Sequence, residues 1–230
     1  MTRKDRGDTK YSLFMRWMLA NAFGVALVVV AWKTGWIRDV IAMDAIYVSR
    51  GIVVYFLIAM INCAWKILET SRELNVAQDY VLQMRMGNKN ACSTIEKKDF
   101  RVSHHLSEVR GLSADGRREM GDIFAGDLAG NLNSAGYSLA RLGALGSIGM
   151  LFGIGVALKV FEVPLTDPSQ AITVFNKIPA GLRIAVYPAL IAGIAAYWLD
   201  YPFEILDDGT RKLVLWIKKA AVYHAEQQSV

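Results

Sequence analysis

Four stretches of this chain are long, apolar and nearly free of charge, and the charged residues gather between them. A helix needs about 20 apolar residues to cross a hydrocarbon core of roughly 30 Å. The first stretch, Leu13 to Trp32, reads LFMRWMLANAFGVALVVVAW and holds one charge, Arg16, near its start. The second, Gly51 to Ile67, reads GIVVYFLIAMINCAWKI, with Lys66 placed to snorkel toward headgroups. The third, Leu142 to Phe161, reads LGALGSIGMLFGIGVALKVF. The fourth, Ile184 to Leu199, reads IAVYPALIAGIAAYWL; it is short, but Leu182, Tyr201 and Phe203 extend it and Arg183 falls at the interface. The chain is 53% apolar, a total that a soluble domain can also reach. It is the distribution that points to a bilayer.

The first stretch has no small-residue cleavage site and ends in Trp32, an interface residue, so it reads as an uncleaved helix and not a signal peptide. Basic residues set the orientation. Arg3, Lys4, Arg6, Lys10 and Arg16 lie at the N-terminus, and Arg211, Lys212, Lys218 and Lys219 follow the fourth stretch. Between the third and fourth stretches Lys177 stands alone against Glu162 and Asp167. Both termini are therefore expected in the cytoplasm of a bacterial inner-membrane, multi-pass protein. The expected fold is all-α and polytopic, with a helical cytoplasmic domain between spans two and three. Its divisions are an N-terminal arm over 1–12, two spans within 13–67, the cytoplasmic domain over 68–141, two spans within 142–200, and a cytoplasmic tail over 201–230.

The segment 68–141 is polar, close to charge-balanced and free of proline. KILETSRELNVAQDYVLQMRM reads as an extension of the second span into water, GNKNACS as the break that ends it, and GRREMGDIFAGDLAGNLNSAGYSLA as a helix returning into the third span. Such an antiparallel pair buries apolar stripes. His104, His105 and His224 read as surface histidines, because adjacent residues on a helix point about 100° apart and make poor joint ligands. Cys63 and Cys92 fit neither a disulfide framework nor a zinc spacing. No nucleophile–base pair, phosphate-binding glycine loop or paired-carboxylate site stands out, so neither an enzyme nor a cofactor is expected. The net charge of +5 is explained by basic loops flanking the spans, and nucleic acid is not an expected partner.

Gly146, Gly149 and Gly153 recur at spacings of three and four and share one face of the third span. Glycine in a helix interior costs about 0.5–1 kcal/mol relative to alanine, a cost tolerated in membranes where backbones approach closely. Gly193 and its alanine neighbours give the fourth span a similar small surface, and Pro188 removes one backbone donor there. No Asp, Glu or His lies inside any of the four stretches. Intramembrane carboxylates are the usual proton carriers, so ions crossing here would need a titrating group from a partner.

GSIGMLFG, residues 146–153, resembles the G-x-x-G-T-x-x-G signature of the MotA/TolQ/ExbB proton-channel family, with its glycines at Gly146, Gly149 and Gly153. GLRIAVYPALIAGIAAYWL resembles that family's last helix, ILETSRELN the start of its cytoplasmic helix, and LDDGTRKLV its C-terminal continuation. The four-span layout is similar to the flagellar-stator branch. The resemblance implies a homopentamer around a single-span partner of the MotB/TolR/ExbD type, whose Asp is protonated and released as the ring turns. It also implies an ion path lined by Ser147, Met150, Tyr187, Pro188 and Ala189. Met150, Pro188 and Ala189 stand where the family carries hydroxyls, Arg183 where the ExbB branch carries a glutamate, and Ser147 and Tyr187 lie beside them. The alternative is a non-conducting pentameric scaffold that anchors a partner. A small-molecule transporter would be favoured by an inverted repeat, and the two halves show none.

Overall fold

The computed structural model describes residues 11–35, 38, 48–96, 99–109, 111–159 and 168–228, and those residues are all-helical, with no strand among them. Six helices with described bounds follow in order: α1 (Ser12–Lys33), α2 (Val48–Arg85), α3 (Lys89–Glu96), α4 (Arg101–Val109), α5 (Ala114–Leu158) and α6 (Pro168–Gln228). Four of them, α1, α2, α5 and α6, are long and apolar enough to cross a membrane. α6 runs for 61 residues, about three times the number a membrane crossing needs. The second, third and fourth apolar stretches are thus segments of longer helices, and polar sequence adjoining them is helical too, whereas α1 is little longer than the first stretch. Residues 160 and 161 of the third stretch, the loop carboxylates Glu162 and Asp167, and most of the N-terminal arm lie outside the described residues.

The ends of the helices follow from local chemistry. α2 stops at Gly87, whose φ of 72° is readily adopted only by glycine. Around it the Asn88 N–H donates to the Gln83 carbonyl (3.1 Å) and the Gly87 N–H to that of Met84 (3.0 Å), the paired bonds of a Schellman cap. Gly35, with φ 83°, closes α1 in the same region of backbone space. Ser113 caps α5, its Oγ accepting the Gly116 N–H at 3.3 Å. GNKNACS is therefore not a continuous break. Gly87 alone turns the chain, and Lys89 onward is helical again as α3, with Cys92 and Ile95 buried.

The chain divides into two compact units. One comprises residues 20–62 and 135–201 and holds most of the apolar stretches. Its helices contact each other through small residues. Gly24 of α1 lies directly against the indole of Trp198 on α6, so closely that a Cβ there would overlap the ring. Phe56 of α2 meets the same indole edge-on, with centroids 6.2 Å apart. The outward faces carry Phe23, Leu57, Ile61, Leu151, Phe152 and Ile194, all exposed. Such surface is stable in lipid or against another subunit, not in water.

The other unit comprises residues 1–19, 63–134 and 202–230. Its core is layered along α2 and α6. On α6, Pro202, Leu206, Gly209, Leu213, Ile217 and Ala220 are buried at spacings of three and four, the period of a helix packing along one stripe. On α2, Ile67, Leu74, Ala77, Val81 and Met84 form the matching pattern. Leu13 of α1 and Thr70 of α2 close over Gly209. Residues 202–220 of the expected tail therefore place one helical stripe in a packed core. Tyr80, fully buried, donates its hydroxyl to Glu96 Oε1 at 2.7 Å and ties α2 to α3. His105 is not at the surface. On α4 it turns inward with Val102, Leu106 and Val109 and stacks on Phe124 of α5 at 4.5 Å, while His104 faces out beside Asp99. The 100° between adjacent helical residues that separates the two rings as ligands also sends one of them into the core. The side chain of His224 lies outside the described residues.

Candidate functional site

The glycine face of α5 meets the small face of α6. A Cβ placed on Gly146 would lie 2.5 Å from the Ala192 Cβ and 3.5 Å from the Ala189 Cα. One on Gly149 would lie 2.6 Å from the Pro188 Cβ and 2.9 Å from Val48 at the start of α2. One on Gly153 would lie 2.7 Å from the Ala185 backbone nitrogen. Rising numbers on α5 pair with falling numbers on α6, so the two helices run antiparallel with their backbones at glycine distance. Ordinary carbon contacts fall near 3.5–4.0 Å, so no larger residue fits these three positions without moving a helix. Gly193 differs: it is exposed, with open space where a Cβ would be.

The five residues expected to line an ion path are distributed around this pair. Pro188 is buried on Gly149 and Ala189 is half-buried beside Gly146. Tyr187 is half-buried, and Ser147 and Met150 are exposed. The Ser147 hydroxyl donates to the Gly143 carbonyl of its own helix at 3.1 Å, a common way for a serine in an apolar helix to satisfy itself. Within the apolar part of α5, burial by the chain's own atoms is confined to Leu142 and the three glycines. The remaining circumference, including Ile148, Leu151, Phe152 and Ile154, is open. Pro188 sits inside an unbroken helix, as do Pro179 and Pro202.

No protein family, curated protein or solved structure matches this chain.

Beyond the apolar segments, one carboxyl group is set apart. Glu73 of α2 is buried, and its pKa is pushed up to about 7, first by burial and next by the neighbouring charge of Glu69. The Arg101 guanidinium and the Arg101 backbone N–H, at the first turn of α4, pull it partly back. Arg101 also pairs with Glu69 at 3.4 Å. The carboxyl thus receives the N-terminus of α4, where a negative charge is favoured, in surroundings that disfavour the charge itself. Among the described residues no group of three or more His, Cys, Asp and Glu side chains is placed to hold a metal ion. Sequence reasoning missed Gly24, Glu73 and Arg117. Their only signal is a spacing from buried neighbours that becomes visible once partner helices are known.

Proposed function

We propose that this chain is the channel-forming subunit of an ion-driven motor in a bacterial inner membrane. In this reading it assembles as a homopentamer around a single-span partner of the MotB/TolR/ExbD type, with both of its termini in the cytoplasm. One observation carries the reading: the GSIGMLFG face of α5, which resembles the MotA/TolQ/ExbB signature, packs glycine against Pro188, Ala189 and Ala192 of α6. That contact packs α5 closely against α6 and leaves Ser147 and Met150 exposed. Apart from Leu142 and the three glycines, the apolar part of α5 is largely uncovered by its own chain, as a helix lining a ring of copies would be. With no carboxylate in the apolar stretches, the titrating group comes from the partner, whose Asp would meet Ser147 or Tyr187. Either hydroxyl can donate to a carboxylate or accept from a carboxylic acid.

A second reading, a non-conducting pentameric scaffold, is favoured by two details of the same site. The Ser147 hydroxyl already donates to the Gly143 carbonyl, and apart from Ser147 and Tyr187 the lining is apolar. Apolar constrictions block ions by dewetting. Proton flux into proteoliposomes, read with a pH-sensitive dye, separates the two. A motor gives flux that depends on the partner and is abolished by Ser147→Ala with Tyr187→Phe while the oligomer stays intact. A scaffold gives no flux with or without the partner. Flux from the wild-type protein alone contradicts both readings.

A further inference from the structure

At the junction of α4, α5 and α6, inside the unit that contains residues 63–134, a cavity of about 470 Å³ opens to solvent. Its charged lining is Arg117, Arg118 and Asp122 of α5 and Lys218 of α6, with His105 of α4 beside them. Val109, Ile217 and Val222 supply an apolar wall. A volume in the range of a few hundred Å³ is that of small-ligand sites.

Two of these groups are buried without being satisfied. Arg117 is only 7% exposed, and its Nη1 is enclosed with no hydrogen-bond partner. His105 is 6% exposed, and its Nε2 is likewise enclosed and unpartnered. A guanidinium stays charged in any protein environment, and a buried charge without a counter-ion is costly. The lining carboxylate, Asp122, pairs with Lys218 through Oδ1 at 3.2 Å, and Arg117 Nη1 accordingly has no hydrogen-bond partner among the described residues. Burial holds the His105 imidazole below its ordinary pKa, so near neutral pH it is uncharged. Three cations against one carboxylate leave the lining with a net charge of +2. That is the complement of a phosphoryl dianion, whose oxygens suit the planar donors of arginine.

We propose that this cavity is a phosphoryl-binding site, held by Arg117 with Arg118, Lys218 and His105, that takes free phosphate or the phosphate of a small organic monoester lying on Val109, Ile217 and Val222. A membrane headgroup is the wrong source. Arg117 precedes Leu142, where the apolar stretch of its own helix begins, by about 25 residues. The site stands independently of ion conduction.

The test uses the full-length protein in neutral detergent, with inorganic phosphate, AMP and adenosine as probes, by calorimetry and by thermal unfolding. Wild type is expected to bind phosphate or AMP saturably at one site per chain and to melt higher in its presence. Stronger binding of AMP than of phosphate identifies the organic monoester as the source, and the reverse identifies free phosphate. Arg117→Met is expected to raise the melting temperature without ligand, because it removes an unpaired buried charge, and to weaken binding by at least about tenfold. The exposed pair Arg118→Ser with Lys218→Met is expected to weaken binding similarly without changing the fold. Absence of saturable binding of both phosphate and AMP overturns the proposal. So does adenosine binding as tightly as AMP, or phosphate binding that survives both sets of substitutions.

Discussion

Gly153→Ala adds one methyl group at the point where α5 and α6 come closest. The new Cβ would lie 2.7 Å from the Ala185 backbone nitrogen and 2.9 Å from the Ala185 Cβ. Backbone cannot rotate aside as a flexible side-chain tip can. Restoring ordinary contact therefore requires the helices to part locally by close to 1 Å. That movement also loosens the contacts of Gly149 with Pro188 and of Gly146 with Ala192. Overpacking of this kind costs about 1–3 kcal/mol. The better helix propensity of alanine returns about 1 kcal/mol, so the expected net loss is about 0–2 kcal/mol. Gly155→Ala provides the control, since it lies on the same helix two residues away with nothing within 4 Å of a new Cβ. It makes the same change in propensity with no clash and is expected to be neutral or slightly stabilising. Unfolding of the detergent-solubilised protein by sodium dodecyl sulfate, followed by tryptophan fluorescence and circular dichroism, gives both values on one scale. Equal stabilities for the two variants would refute the close α5–α6 contact as the reason for glycine at 153.

Glu73→Gln is expected to flatten the pH dependence of stability. Between about pH 4.5 and 7 the folded chain holds a proton that the unfolded chain has released, so wild-type stability is greatest below that window, falls as pH rises through it, and levels off above. With solvent screening the loss amounts to about 1–2 kcal/mol, and melting temperatures from pH 4 to 8 test both the slope and its removal in the variant. Gly24→Ala drives a methyl group into the Trp198 indole and is expected to lower the melting temperature and shift the Trp emission; an unchanged spectrum and melting point would argue against that contact. Gly149→Leu is expected to displace Pro188 and disturb assembly; native mass spectrometry showing an unaltered oligomer would count against it. Reporter fusions after residue 110 and at the C-terminus are expected to report cytoplasm and fusions near residue 170 the outside, and a periplasmic signal at residue 110 would reverse the assignment.

Hydropathy is a sum over consecutive residues, and whether a helix can enter lipid depends on little else. That is why the four apolar segments were legible from the chain read in order, and why the helical continuation of the second and the helical approach to the third could be read from their periodicity. The glycine face was legible for a similar reason: residues spaced three and four apart share a side of any helix. What lies opposite that face is a different kind of fact. Gly149 meets Pro188 and Val48, and Gly193 meets nothing, because contact depends on the shapes of two helices at once and on the register between them. The same holds for adjacent histidines, of which His105 is buried and His104 is not, and for the buried stripe within residues 201–220, which depends on the helices packed against it. Asp207 with Arg211 and Asp208 with Lys212 pair along the helix at 2.9 Å, outside the buried stripe. Burial of Glu73 and Arg117 is the furthest from sequence. A charged residue is polar by composition wherever it stands, and only the helices that close over it decide whether its charge meets water, a partner or neither.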